Sequence, residues 1–156
     1  MEKKKEVIVL LENVRSAHNV GAIFRTAEGA GVSQIILGGY TPAPRDRFGR
    51  EVAEIKKTSL GASTMVPWQQ TDDIATTLEE LKTKGFQIIA IEQAQNSISL
   101  YDFSVPEKVV YIFGNEVDGV SAEALALSDT IVEIPMAGRK ESLNVSVATG
   151  IILFHC

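Results

Sequence analysis

Hydrophobic and polar positions change their period along the chain, and each change marks an element. Val7–Leu11 is an unbroken apolar run, as in strands buried on both faces of a parallel sheet. Val20, Ile23, Phe24, Ala27 and Ala30 follow at helical spacing, predicting an amphipathic helix from Asn19 to about Gly29 that Gly31 ends. Ile35–Leu37 starts a second strand, so the three elements form a βαβ unit whose crossover is expected to be right-handed. Gly38-Gly39, Pro42 and Pro44 break the pattern. Arg45–Lys57 reads as basic and partly helical, and Thr64–Pro67 as a short strand just before Trp68. Thr71 or Asp72 caps a helix through Lys84, with Ile74, Leu78 and Leu81 on one face and Gly85 as its stop. Phe86–Ile91 and Val109–Phe113 read as buried strands on either side of a polar, irregular Gln93–Phe103. Ser121–Leu127 is a short helix and Thr130–Ile134 the last strand.

The closing stretch, Ile134–Phe154, passes through a charged turn into an apolar run. Ser142 is placed to cap the helix that follows. Val145, Val147, Ala148, Ile151, Ile152 and Phe154 cover more than one helical face, which predicts burial on several sides. Gly150 costs such a helix about 1 kcal/mol relative to Ala, so a close neighbour is expected there. About six strands alternating with helices predict a three-layer α/β fold with a mainly parallel six-stranded sheet. At 156 residues the chain reads as a single domain over 1–156, with no repeat, linker or separate RNA-binding domain.

Composition narrows the class. With 45% hydrophobic and 22% charged residues the balance is that of an ordinary soluble protein. A single cysteine, Cys156, excludes an internal disulfide framework and points to a reducing compartment. The basic start MEKKKEVIVLL carries too short an apolar run for a signal peptide, and no stretch is long enough to span a bilayer. A cytoplasmic protein without membrane contact is expected. The net charge of −5 argues against a surface that grips nucleic acid everywhere, but leaves room for local basic faces. Three are candidates: Lys3, Lys4 and Lys5; Arg45, Arg47, Arg50, Lys56 and Lys57, offset by Asp46, Glu51 and Glu54; and Arg139 with Lys140.

Open α/β sheets gather ligands outside the carboxyl ends of their strands. That rule brings together Asn13–Asn19, Gly114–Gly119 and Pro135–Asn144, each a strand-following loop of glycine and small polar residues. Two histidines and a terminal cysteine make no metal cluster, and no G-x-G-x-x-G opens a helix.

Three of these stretches resemble, in order, the signatures of the SpoU (TrmH) branch of the SPOUT RNA methyltransferases. They are NVGAIFRTAEGAG from Asn19, FGNEVDGVS from Phe113, and IPM followed by SLNVSVA from Ser142. The likeness runs from about Val7 to Phe154. It implies a C-terminal trefoil knot, a homodimer, and S-adenosylmethionine-dependent methylation of a ribose 2′-hydroxyl in tRNA or rRNA. Arg25 is the implied catalytic arginine, acting as a base or as an electrostatic stabiliser, with Asn19, Ser142 and Asn144 shaping the site. Gly114, Asn115, Glu116, Ile134, Met136, Ser142 and Leu143 are the implied cofactor residues. Arg15, Arg45, Arg47 and Arg50 are candidates for RNA contact, and His18 is read as a loop histidine without a chemical role. Val117 stands where some relatives have glycine, and Lys140 where many carry an apolar residue. The competing reading is a knotted dimer that binds RNA or another partner without turnover.

Overall fold

A computed structural model of the chain describes residues 5–155; Lys3, Lys4 and Cys156 lie outside the described residues. Seven strands form one sheet: β1 (Glu6–Glu12), β2 (Gln34–Gly38), β3 (Trp68–Thr71), β4 (Gln87–Ile91), β5 (Ile98–Ser99), β6 (Lys108–Phe113) and β7 (Thr130–Glu133). Their order is β3-β2-β1-β6-β4-β7-β5, and all pairings are parallel. The helices are α1 (Ala17–Ala30), α2 (Ala53–Ser59), α3 (Ile74–Thr83), α4 (Ala122–Leu127) and α5 (Val145–Leu153).

Alternation along each strand divides the core in two, because successive side chains point to opposite faces. Val9, Leu11, Ile35, Leu37, Tyr111 and Phe113 pack with residues of α1, α2 and α5. Ile8, Leu10, Ile36, Ile88 and Ile112 pack with Leu78 and Leu81 of α3 and Ala124 of α4. The expected three layers are therefore present. Helices α1 and α2 approach closely at Gly21, where an added Cβ would lie 1.7 Å from Thr58 Oγ1.

The sheet has one strand more than predicted, and β3 is displaced from the predicted Thr64–Pro67. Ala62–Thr64 is instead a 3-10 turn, entered through left-handed Leu60 and Gly61. Pro67 has no N–H to give a ladder; its carbonyl accepts from Ile35, and pairing proper begins at Trp68. The polar sequence WQQT hides an edge strand whose two glutamines are exposed. The predicted irregular stretch Gln93–Phe103 likewise contains the two-residue edge strand β5 and a 3-10 turn.

Caps refine the helix boundaries. Ser16 Oγ accepts from the Asn19 N–H, so α1 starts earlier than its apolar periodicity indicates, and Gly31 closes it at φ 75°. Asp73, not Thr71 or Asp72, caps α3. Asn144, not Ser142, caps α5: its Oδ1 accepts from the Ser146 N–H at 2.8 Å. Burial of α5 on several sides is not found within this chain. Only Thr149 and Ile152 are buried, while Val147, Ile151 and Phe154 are 50%, 40% and 61% exposed. Its neighbour is α1, with Thr26 Cγ2 3.7 Å from where a Cβ on Gly150 would stand. Among the described residues no helix is long and apolar enough to cross a membrane.

Candidate active site

Strands β1 and β6 lie side by side, yet the chain leaves them in opposite directions, toward β2 and toward β7. This is the switch point at which a crevice opens beyond the strand ends. The loop after β1 is fixed by Asn13, a left-handed residue (φ 54°) whose Oδ1 accepts from the Tyr40 N–H at 3.0 Å. After β6 the chain turns back on itself. Asn115 and Gly119 exchange backbone hydrogen bonds of 3.1 and 2.9 Å, and Asn115 Oδ1 accepts from the N–H groups of Val117 and Asp118. Asn115 Nδ2 ties this turn to the first loop, donating to Asn13 O and Tyr40 Oη at 2.8 Å each. Gly114 makes the turn possible: a Cβ there would fall 2.2 Å from the Gly119 carbonyl carbon.

Glu116 joins the turn to the start of α1. Its carboxylate accepts from the Arg15 N–H at 3.0 Å, the Ser16 N–H at 3.1 Å and Asn19 Nδ2 at 3.4 Å. Burial pushes the Glu116 carboxyl up, but the N–H groups of Arg15, Glu116 itself and Ser16, with the Asn19 amide, outweigh it and hold the carboxyl below its ordinary value. An anion at a helix N-terminus is favourable in its own right. Asn19 in turn accepts from Asn144 Nδ2 at 3.4 Å, which brings in the third stretch. One line of hydrogen bonds thus links the Asn115–Gly119 turn, α1 and the head of α5.

The turn and the head of α5 bound a cavity of about 780 Å³, which α1, Asn19 included, does not line. Gly114, Asn115, Glu116, Ile134, Met136, Ser142, Leu143 and Asn144 all line it, so every residue expected at the cofactor is brought to one place. From Pro135 to Leu143 no backbone group takes part in a loop, turn or cap hydrogen bond among the described residues. Its N–H and C=O groups are available to a ligand's polar edge. Apolar side chains and exposed backbone together suit a nucleoside-bearing cofactor in size and chemistry.

Residues 6–154 match the model of the SpoU rRNA methylase family. The chain belongs to that family. It is 35% identical to the 23S rRNA (guanosine-2'-O-)-methyltransferase RlmB of Neisseria meningitidis, over 94% of this chain and 56% of the relative. It is also 35% identical to the tRNA (guanosine(18)-2'-O)-methyltransferase of Aquifex aeolicus, over 99% of this chain and 70% of the relative. The crystal structure of an AdoMet-bound rRNA methyltransferase from Sinorhizobium meliloti superposes with a TM-score of 0.87 at 31% identity, covering 99% of this chain and 57% of that one. The likeness to SpoU structures carries with it the trefoil knot of the family. Against most of the relatives it matches first, the chain spans somewhat more than half of their length.

Not all family positions meet at the cavity. Arg25 is six residues beyond Asn19, which on a helix is about 9 Å along the axis and about 240° around it. It is exposed and does not line the cavity, and its side chain makes no hydrogen bond or ion pair among the described residues. It stands next to Thr26 and one turn before Gly29, the two α1 positions that face Gly150 and Phe154 of α5. Arg15 serves the site through its backbone N–H, with an exposed side chain. His18 is exposed and faces Glu54, its Nδ1 lying 3.2 Å from Oε1.

The second basic cluster is largely neutralised. Arg45 lies 3.8 Å and Lys56 2.9 Å from Glu51, and Arg50 lies 3.0 Å from Asp46. Arg47 has no such partner among the described residues. The sequence reading missed several supports of the site. Tyr40 props Asn115; Glu92 lines the cavity and accepts from the Val120 N–H; buried Glu12 accepts from the Ser121 N–H and Oγ at 2.7 Å. A carboxylate at the end of a buried apolar run, as at Glu12 and Glu92, was the available signal.

Proposed function

We propose that this protein is an S-adenosylmethionine-dependent methyltransferase acting on a ribose 2′-hydroxyl of tRNA or rRNA, and that it works as a homodimer. The observation that carries the reading is that two family motifs line one cavity and the first is tied to both of them by the Glu116–Asn19–Asn144 line of hydrogen bonds. The names of the Neisseria and Aquifex relatives describe guanosine 2'-O-methyltransferases of 23S rRNA and tRNA, and the Sinorhizobium structure has AdoMet bound. Bound in the cavity, the cofactor would supply an electrophilic methyl group on a sulfonium.

The chain's own residues would then do two things. The Asn115–Gly119 turn, Ile134, Met136 and Leu143 hold the cofactor against backbone groups that nothing else occupies. Asn144, which also caps α5, lines the cavity, and buried Asn19, with both amide ends engaged, ties it to Glu116. A ribose hydroxyl is a poor nucleophile at neutral pH, so orienting it and easing loss of its proton are the tasks that remain. A guanidinium is a hydrogen-bond donor with no acceptor site, which suits a stabiliser of negative charge and not a base. In this reading that of Arg25 holds a phosphate next to the target and stabilises the alkoxide as it develops, with water or that phosphate taking the proton. Within one chain Arg25 is exposed and does not line the cavity, and α5 leaves Val147, Ile151 and Phe154 uncovered. A symmetric dimer through α5 and α1 buries those side chains and puts Arg25 at the junction of the two copies.

The test is methyl transfer from labelled S-adenosylmethionine to total RNA, followed by alkaline hydrolysis. A 2′-O-methyl group blocks alkaline cleavage at its own linkage, so label should remain in alkali-stable dinucleotides. Label released in mononucleotides would place the methyl group on a base and refute the assignment. Cofactor and RNA binding without transfer would favour the non-catalytic module.

A further inference from the structure

We propose that the loop between β2 and α2 is a stacking platform for an unpaired nucleobase, with the Phe48 ring as its floor and Arg47 as its phosphate contact. The inference rests on the reading that the substrate is RNA, and adds that the RNA is held at an unpaired nucleotide.

The loop is built rather than loose. Arg45 and Glu51 form an antiparallel bridge, and the Arg45 guanidinium donates to Gly49 O at 2.9 Å. Asp46 organises the tip: Oδ1 accepts from the Phe48 N–H at 2.9 Å and the Arg50 N–H at 3.0 Å, and Oδ2 from Arg50 Nε at 3.0 Å. Gly49 completes the turn at φ 77° and donates to Asp46 O. At the end of this fixed turn Phe48 is 66% exposed. The guanidinium carbons of Arg47 and Arg50 stand 4.8 and 5.0 Å from its ring centroid.

An aromatic ring held out in water between two cations does not suit an apolar protein partner, which would have to bury both charges. It suits a nucleobase, whose π-face stacks on a ring or a guanidinium while its phosphate takes the charge. The two arginines are not equivalent. Arg50 is tied to Asp46, whereas Arg47 contacts the ring without an ion pair among the described residues and can turn to a phosphate. The platform also lies toward the active-site edge. Helix α2, which follows it, places Glu54 against His18 at the start of α1, beside the N–H groups that hold Glu116.

A duplex offers phosphates but no unstacked base, so Phe48 should matter for single strands alone. The full chain is titrated with fluorescent oligoadenylate and with an RNA duplex of the same length, across a salt series. Phe48→Ala should weaken oligoadenylate binding roughly tenfold to a hundredfold. Its salt slope and its duplex affinity should not change, and Phe48→Trp should keep or improve oligoadenylate affinity. Arg47→Ala should weaken both RNAs and lower the salt slope by about one. The proposal is overturned if Phe48→Ala binds oligoadenylate as the wild type does, or if it loses both RNAs in parallel. A wild type with no affinity for oligoadenylate overturns it as well. Calorimetry with S-adenosylmethionine separates the two readings: a wild type that fails to bind it refutes the methyltransferase and leaves the RNA result standing.

Discussion

Gly114→Ala should disable the cavity while leaving the rest of the sheet in place. The added Cβ would sit 2.2 Å from Gly119 C, 2.3 Å from Val120 N and 2.4 Å from Gly119 O. All three are backbone atoms, so no side-chain rotation relieves the clash and the turn must move away from the end of β6. Overpacking of this kind costs about 1–3 kcal/mol. Losing the two Asn115–Gly119 backbone hydrogen bonds adds about 1 kcal/mol for each one that is not remade. If the turn opens locally, the loss of global stability settles near 3 kcal/mol, which for a chain of this size is a fall in Tm of roughly 6–12 °C. The larger effect is on binding, because the same turn carries Asn115 and Glu116. The control is Gly138→Ala, in the segment between the lining residues Met136 and Glu141, where an added Cβ meets nothing within 4 Å. Thermal melts and calorimetric titration with S-adenosylmethionine, run on both variants, read the two effects. Gly114→Ala with wild-type Tm and affinity would refute the reasoning, as would an equal loss in Gly138→Ala.

Three further outcomes follow from the same geometry. Because the Glu116 carboxyl lies below its ordinary 4.5 in the folded chain, its contribution to stability is complete above that value and is lost as pH falls through the lower folded value. The Tm gap between wild type and Glu116→Gln should therefore be widest near neutrality and close below about pH 4.5; a gap that widens in acid would contradict this. Ile151→Asp puts a charge on the exposed apolar side of α5 and should yield a folded monomer by sedimentation, whereas an intact dimer would place the contact elsewhere. Arg25→Lys keeps the charge but loses the planar fork. It should slow single-turnover transfer roughly a hundred- to a thousandfold with Tm and cofactor affinity unchanged, and near-normal turnover in Arg25→Ala would remove this residue from the mechanism.

The buried strands and strand-following loops were legible because both leave marks in local sequence. β1 and β6 are near-continuous apolar runs, and the glycines and small polar residues after them sit where a turn and a cavity need them. Edge strands leave no such mark. β3 reads WQQT because one of its sides has no neighbour, and β5 is too short to show a period. The apolar coat of α5 announces that the helix is covered, but not whether its own chain or another copy covers it. Ser142 and Asn144 are equally good caps on paper; which one turns inward depends on Asn19 lying within reach of Asn144. Net charge hid the opposite point in Arg45–Lys57, where acidic neighbours four or five residues from Arg50 and Lys56 fold back onto them. Phe48 went unread because a lone aromatic in a charged loop gives no period, and its exposure is a property of the folded turn.

The central claim is that the cavity between the Asn115–Gly119 turn and Ile134–Asn144 is the cofactor site. A crystal structure of the chain grown with S-adenosylmethionine tests it most directly. Ligand density is predicted in that cavity, in contact with backbone between Ile134 and Leu143 and with the Gly114–Gly119 turn. Density in the cavity of about 570 Å³ beside Trp68 and Lys56, or a protein crystallised from saturating cofactor with no ligand bound at all, would contradict it.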